Sequence, residues 1–161
     1  ETGNITVQNM HTDTDYLFSM ENGSVHMDNV NTGSALSVIS TGGDPCTVRL
    51  QDTTARLLTL DLMQGDVQTQ GLSAYTSKID VTHGSLSLNY IPRETVFTIQ
   101  ASTRGKLSVN ETGYIDTYQY TTKDANADPG EETPEETVTI QGKDAAIYIS
   151  IESLPQKTSG E

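Results

Sequence analysis

Short runs in which apolar and polar residues alternate recur along almost the whole chain. "GNITV" at Gly3, "GSVHM" at Gly23, "GDVQT" at Gly65, "GSLSL" at Gly84 and "GKLSV" at Gly105 each begin with glycine and continue in alternation. In an extended strand residues i and i+2 share a face. Ile5/Val7, Val25/Met27, Leu86/Leu88, Leu107/Val109 and Ile147/Ile149 therefore point one way, and Thr6, His26, Ser87, Ser108 and Tyr148 point the other. Looser copies are "GGDPCTVRL", which holds Gly43, and "GKDAAIYIS", which starts at Gly142. A second alternating series, "SALSVIS", "RLLTLDL", "SKIDVTH", "VFTIQAS" and "ETVTIQG", lies between the first.

The glycines stand at 3, 23, 43, 65, 84, 105 and 142, a period near twenty residues broken only by the last interval of 37. A unit of that length cannot bury its own apolar face, but stacked units bury one continuous core. The pattern predicts an all-β chain folded as a β-solenoid of about seven units, with two short strands in each. An antiparallel sandwich, which also uses short strands at regular spacing, is the competing architecture. No stretch of a dozen residues keeps a helical apolar period. One domain over residues 1–153 is expected, followed by a frayed tail, 154–161, in which Pro155 ends the strand pattern.

The stretched interval holds "DANADPGEETPEE", with six carboxylates between Asp124 and Glu136. Against the twenty-residue rhythm it reads as an acidic loop inserted at about residues 123–136. Asp124, Asn126 and Asp128 occupy the first, third and fifth positions of a calcium-loop template, and Glu135 the twelfth. The sixth position of that template needs a sharply turning glycine, whereas this chain has Pro129 with φ held near −65°. The expectation is a solvated loop. Calcium at those four residues is the alternative, and no other cofactor is implied.

Ahead of the loop, "GYIDTYQYT" puts Tyr114, Asp116, Tyr118 and Tyr120 in one i, i+2 series. Tyrosine offers apolar area with a polar tip, so such a strand face can stack on sugar rings or anchor a protein. These four residues are the candidate partner-binding set. The competing expectation is that the rings cover the end of the stack.

Composition narrows the partners. The 161 residues carry a formal net charge of −13, which excludes a phosphate-binding footprint and makes nucleic acid and anionic membrane poor partners. Cys46 is the only cysteine, so no internal disulfide exists and a small buried residue is expected there. No apolar run reaches the ~18 residues of a membrane span; any membrane anchor is expected elsewhere in a longer chain.

The segments "GNITVQN", "NGSVHMDNV", "GDVQTQG" and "HGSLSLNY" resemble the adhesin domain family of bacterial cell-envelope proteins, a domain of unknown function marked by G-[ND]-[IV]-x-[VT] repeats. The resemblance implies a repetitive parallel-stranded fold and an extracellular or cell-envelope location. It supplies no catalytic residues.

An enzyme is disfavoured. Asp61, Asp66 and Asp80 read as isolated carboxylates among threonines and serines, and glycoside hydrolysis needs a matched pair. Threonines do not recur at one position of each unit, so a threonine ladder is not expected. The functional expectation is a non-catalytic interaction or scaffold module offering flat strand faces to a glycan or protein partner. A regulatory or sensing domain of an envelope-stress membrane protein is the alternative.

Overall fold

The computed structural model describes residues 2–123 and 134–152. Ten strands form one sheet: β1 (Thr2–Thr12), β2 (Tyr16–Met20), β3 (Asn22–Ser40), β4 (Cys46–Gln70), β5 (Ser73–Tyr90), β6 (Val96–Thr103), β7 (Leu107–Val109), β8 (Thr112–Tyr114), β9 (Thr117–Thr121) and β10 (Glu135–Ile151). No helix occurs among the described residues. The architecture is all-β and solenoid-like, as the repeat predicts.

Burial along β4 shows how one strand turns corners. Cys46, Val48 and Leu50 point inward, then Thr53 and Ala55, then Leu58, Leu60 and Leu62, then Val67 and Thr69. Two consecutive exposed residues separate each group, at 51–52, 56–57 and 63–64. Each such pair resets the period-two alternation, so the chain keeps its apolar side inward while changing direction. A circuit therefore has three inward-facing runs, not the two read from sequence. The short middle run, such as Val30/Thr32 or Leu72/Ala74, is too brief to stand out as a strand pattern. Fully burying a leucine such as Leu58, Leu60 or Leu62 contributes about 1.5–3 kcal/mol, and all three are wholly inaccessible.

Neighbouring circuits pair in parallel and nearly in register. Ile5, Val25 and Val48 share one column, and Leu36, Leu58 and Ser77 another. The first corner of each of the first four circuits is made by a residue with left-handed backbone, at Asn9 (φ 52°), Asn29 (φ 52°), Asp52 (φ 46°) and Gly71 (φ 67°). Asparagine, aspartate and glycine tolerate that region best. The column is also hydrogen-bonded side to side: Asn29 Nδ2 donates to Asn9 Oδ1 at 2.8 Å, and Gly71 N donates to Asn89 Oδ1 at 2.8 Å.

A second column holds the glycines. At Gly84 (φ 123°) a Cβ would lie 1.9 Å from the carbonyl oxygen of Gly65, and at Gly23 (φ 115°) equally close to that of Gly3. Close stacking of backbone on backbone thus requires glycine there. Gly43 and Gly142 do not belong to this column. Cys46 pairs with Gly23, and Ala145 with Gly84; neither Cys46 nor Ala145 has positive φ, so each tolerates its side chain.

The stack does not follow chain order. β10 lies between β5 and β6, pairing in parallel with both, so the last circuit is interior to the sheet. β6 in turn pairs antiparallel with β9, and β7 with β8. The surplus residues before Gly142 are therefore not all loop. Part of them builds β8 and β9, which turn back over the end of the stack before the chain returns to its middle. Glu135 and Glu136, placed in the acidic loop by the sequence reading, begin β10 instead, and Glu136 is buried.

Candidate functional site

The insertion of β10 assembles a surface that sequence order conceals. Outward-facing Thr76, Thr137, Thr98 and Thr121 are successive register partners across β5, β10, β6 and β9. Lys78, Thr139, Gln100 and Gln119 form the next row, and Asp80, Gln141, Ser102 and Thr117 the third. Adjacent strands stand about 4.8 Å apart, so each row presents hydroxyls and amides at that interval. Thr98 and Thr121 share a hydrogen bond of 2.8 Å between their Oγ1 atoms. Beyond Lys78 and Asp80 on β5, these three rows carry no charged side chain.

An open groove runs along this face, lined by Gln100, Ser102, Thr117, Gln119, Thr139 and Gln141 and backed by Tyr118. Its neighbour along the strands is bordered by Asp80, Asp116, Arg104 and Lys143, which bring both signs of charge to one end. The surface can offer many hydrogen-bond donors and acceptors to a neutral, hydroxyl-bearing ligand, with charge confined to its margins.

The tyrosine set is placed differently from the sequence reading. Tyr114 ends β8, Asp116 sits in the following corner with φ 62°, and Tyr118 and Tyr120 lie on β9. The i, i+2 series is therefore broken at Asp116, because a left-handed residue reverses the chain. Tyr118 and Tyr120 are half-buried against the core, opposite Ala101 and Ile99, and close the end of the stack. Tyr114 remains exposed and meets Tyr118 edge to face at 4.7 Å. Burial, with Tyr114 and Tyr120 nearby, raises the Tyr118 phenol above its usual value.

Of the calcium set, Asp124, Asn126 and Asp128 lie outside the described residues. Glu135 is described, and its carboxylate pairs with Lys123 Nζ at 2.8 Å while Thr98 Oγ1 donates to it at 3.4 Å. No group of three or more histidine, cysteine, aspartate or glutamate side chains gathers among the described residues. Cys46 is buried, as expected.

Two acids read as isolated are neighbours. Asp61 on β4 and Asp80 on β5 are direct register partners. Burial, and then the charge of Asp61, raises the Asp80 carboxyl above its usual value, and Lys78 offsets part of the effect. The threonine row and this acid pair were both missed because each depends on cross-strand register; a twenty-residue alignment of Asp61 with Asp80 would have revealed the second.

The model of the family described as Toastrack DUF4097 matches residues 1–159. The chain belongs to this family, a domain family of unknown function. Neither a curated protein nor a solved structure matches it. In this Toastrack chain no helix of the described residues is long and apolar enough to cross a membrane. The family membership covers the solenoid-like fold, while the groove, the threonine rows and the acid pair are features of these particular residues.

Proposed function

We propose that the chain is a non-catalytic interaction module, an adhesin or scaffold displayed outside the cell or in its envelope, that binds an uncharged glycan along the threonine and glutamine face. One observation carries this reading. In a chain of net charge −13, the rows over β10, β6 and β9 contain only threonine, serine and glutamine side chains. A repeating polymer of hydroxyl groups meets such rows with many modest hydrogen bonds, none of which costs the desolvation of a buried charge. About seven units of the twenty-residue period would supply the rigid frame.

A glycan array probed with the intact chain and with a Gln100→Ala/Gln119→Ala variant tests the proposal. Both side chains are exposed and absent from the core, so the variant keeps its melting temperature and loses the binding seen with wild type. Silence of the wild-type chain on the array, or equal binding by both proteins, removes the glycan reading.

A regulatory or sensing module that docks against protein is the second reading. Exposed Leu57 and Tyr75, at a corner beside Thr76, favour it. It calls for no catalytic residue, cofactor or metal.

A further inference from the structure

One corner of the stack carries an apolar side chain where the chemistry of turns calls for a polar one. Between β8 and β9 the chain reverses at Asp116, with φ 62°, and Thr117 N donates to Ile115 O at 2.6 Å across it. Glycine, asparagine, aspartate and serine are the residues suited to such turns. Ile115 is nonetheless 88% exposed, the highest value for a large apolar side chain among the described residues, and Tyr114 beside it is 38% exposed. The turn is fixed in place: Asp116 O accepts from Thr103 N at 2.9 Å, and Tyr114 rests edge to face on Tyr118. A side chain held out on a rigid turn loses little freedom when a partner closes over it.

The same corner gathers basic residues in a chain that has few. The sequence has nine lysines and arginines against 22 acidic residues, and Arg104, Lys106 and Lys143 all stand here, exposed. Arg104 N donates to Lys143 O at 3.2 Å, and both residues border one recess with Asp116. Lys106 Nζ lies over the Tyr148 ring, 5.3 Å from its centre, and the next residue, Leu107, is the register partner of Tyr114. The ion pairs among the described residues are His83 with Asp144 and Lys123 with Glu135. None of the three cations at the corner is therefore matched by a carboxylate.

We infer that this corner docks an acidic peptide segment of a partner protein. Apolar side chains of the segment pack on Ile115 and Tyr114, and its carboxylates meet Arg104, Lys106 and Lys143. Charge complementarity selects this occupant over an anionic membrane, because an extended surface meets the field of the whole chain, whose net charge is −13. A short segment meets chiefly the charges within a Debye length, about 8 Å at physiological ionic strength. The acids of the corner are Asp116 and Asp144, and the second already lies 3.7 Å from His83 Nδ1. Tyrosine and arginine are also the residue types that most often carry binding energy at protein interfaces. Gln100 and Gln119 are not part of this corner, so its role is independent of the glycan reading.

The test selects random linear peptides, displayed on phage, on the immobilised wild-type chain. Recovered peptides are synthesised and titrated by fluorescence anisotropy against wild type, Arg104→Glu/Lys143→Glu, Ile115→Ser and the control Arg49→Glu/Arg56→Glu, which makes the same charge change on β4. All five side chains are exposed, so melting temperatures should stay close to wild type. The peptides are expected to be rich in aspartate and glutamate around an apolar residue. They should bind Arg104→Glu/Lys143→Glu roughly tenfold or more weakly and the β4 control within about twofold of wild type. Ile115→Ser should weaken them about fivefold. Failure to enrich any peptide overturns the inference, as do peptides without acidic residues or peptides that all four proteins bind equally. Equal weakening by the β4 control would report net charge alone and overturns it too. Vesicles of phosphatidylglycerol form a second arm: wild type that pellets with them and is released by Ile115→Ser would make the corner a lipid contact and sink the peptide reading.

Discussion

Tyr90 Oη donates to Glu136 Oε1 at 2.6 Å in the interior of the protein, joining residues 46 positions apart. The same hydroxyl lies 2.5 Å from Ala74 O and accepts from Ala74 N at 3.0 Å, so its one proton serves two acceptors in turn. Glu136 Oε2 accepts from Arg93 N at 2.8 Å and Glu94 N at 3.2 Å. This buried carboxylate therefore ties β10 to both the end of β5 and the loop that leads to β6. Tyr90→Phe is expected to lower stability by about 1–3 kcal/mol, because it strands buried polar partners. Glu136→Ala, which removes the acceptor of two backbone donors, Arg93 N and Glu94 N, and leaves the Tyr90 hydroxyl only Ala74 O, should cost about 2–5 kcal/mol. Urea denaturation measures both, and a loss below about 0.5 kcal/mol, the ordinary range of surface substitutions, would show the network to be structurally idle.

Alkaline pH should find the same tyrosine. Burial and the facing Glu136 push the Tyr90 phenol far above its usual 10.0. Unfolded Tyr90 releases its proton near pH 10.0 while folded Tyr90 keeps it, so above that pH the unfolded state binds fewer protons. Stability is then fully present below pH 10 and falls as pH rises, by at most about 1.4 kcal/mol per unit from this group. Tyr118, raised less deeply, adds to the fall in the same direction. Melting curves from pH 8 to 11.5 should steepen in their decline above 10 for wild type and flatten for Tyr90→Phe. Parallel curves for the two proteins would contradict the assignment.

Substituting the stacked glycines should separate position from residue type. Gly84→Ala places a Cβ 1.9 Å from Gly65 O on a backbone of φ 123°, and a loss of about 2 kcal/mol or more is expected. Gly43→Ala meets nothing within 4 Å and should stay within about 0.5 kcal/mol of wild type. Equal thermal shifts for both would mean that the glycine column is not set by backbone contact.

Relieving the acid pair should stabilise the fold slightly. Asp80→Asn removes a half-buried charge that faces Asp61 across the strands, for an expected gain of a few tenths of a kcal/mol at neutral pH. The raised folded value means that the penalty is present above the unfolded value of 3.8 and relieved below it. The gain should therefore vanish as pH falls below about 4. A destabilised Asp80→Asn at pH 7 would point to a hydrogen-bonding role instead.

Calcium should leave the melting temperature unchanged. Pro129 occupies the turning position of the template, and Glu135 is already paired with Lys123 at 2.8 Å. A rise of several degrees on adding calcium, reversed by a chelator, would restore Asp124, Asn126, Asp128 and Glu135 as a metal set.

The parts of this fold legible in the sequence are those governed by local constraint. Gly23, Gly65 and Gly84 were visible because a close backbone approach admits no side chain, and the alternation of Leu86 and Leu88 because a strand has period two. Asn9, Asn29 and Asp52 were equally local, with the turn chemistry of a left-handed corner, and comparing residues about twenty apart would have found them. Gly43 and Gly142 misled because they share a residue type with the column without sharing its contact. What could not be read was the place of β10. Whether residues 135–151 stack beyond β6 or beside β5 depends on partners such as Tyr90 and Glu136, which are far apart along the chain. The threonine row inherits that difficulty, since Thr76, Thr98, Thr121 and Thr137 align only once β10 has been inserted.

That insertion also constrains the order in which the protein can be made. Circuits from β1 to β5 can close one upon another as the polypeptide leaves the ribosome, each finding its template already laid. β6 has no such template when it emerges, because the strand that will hold it is β10, synthesised later. Some thirty residues separate Thr103 from Glu135, and through that interval β6 has only β9 to pair with, its ladder toward the stack unmade. The nascent chain thus has one step that cannot be vectorial, and the partly built stack offers its bare β5 edge to the surroundings until β10 arrives.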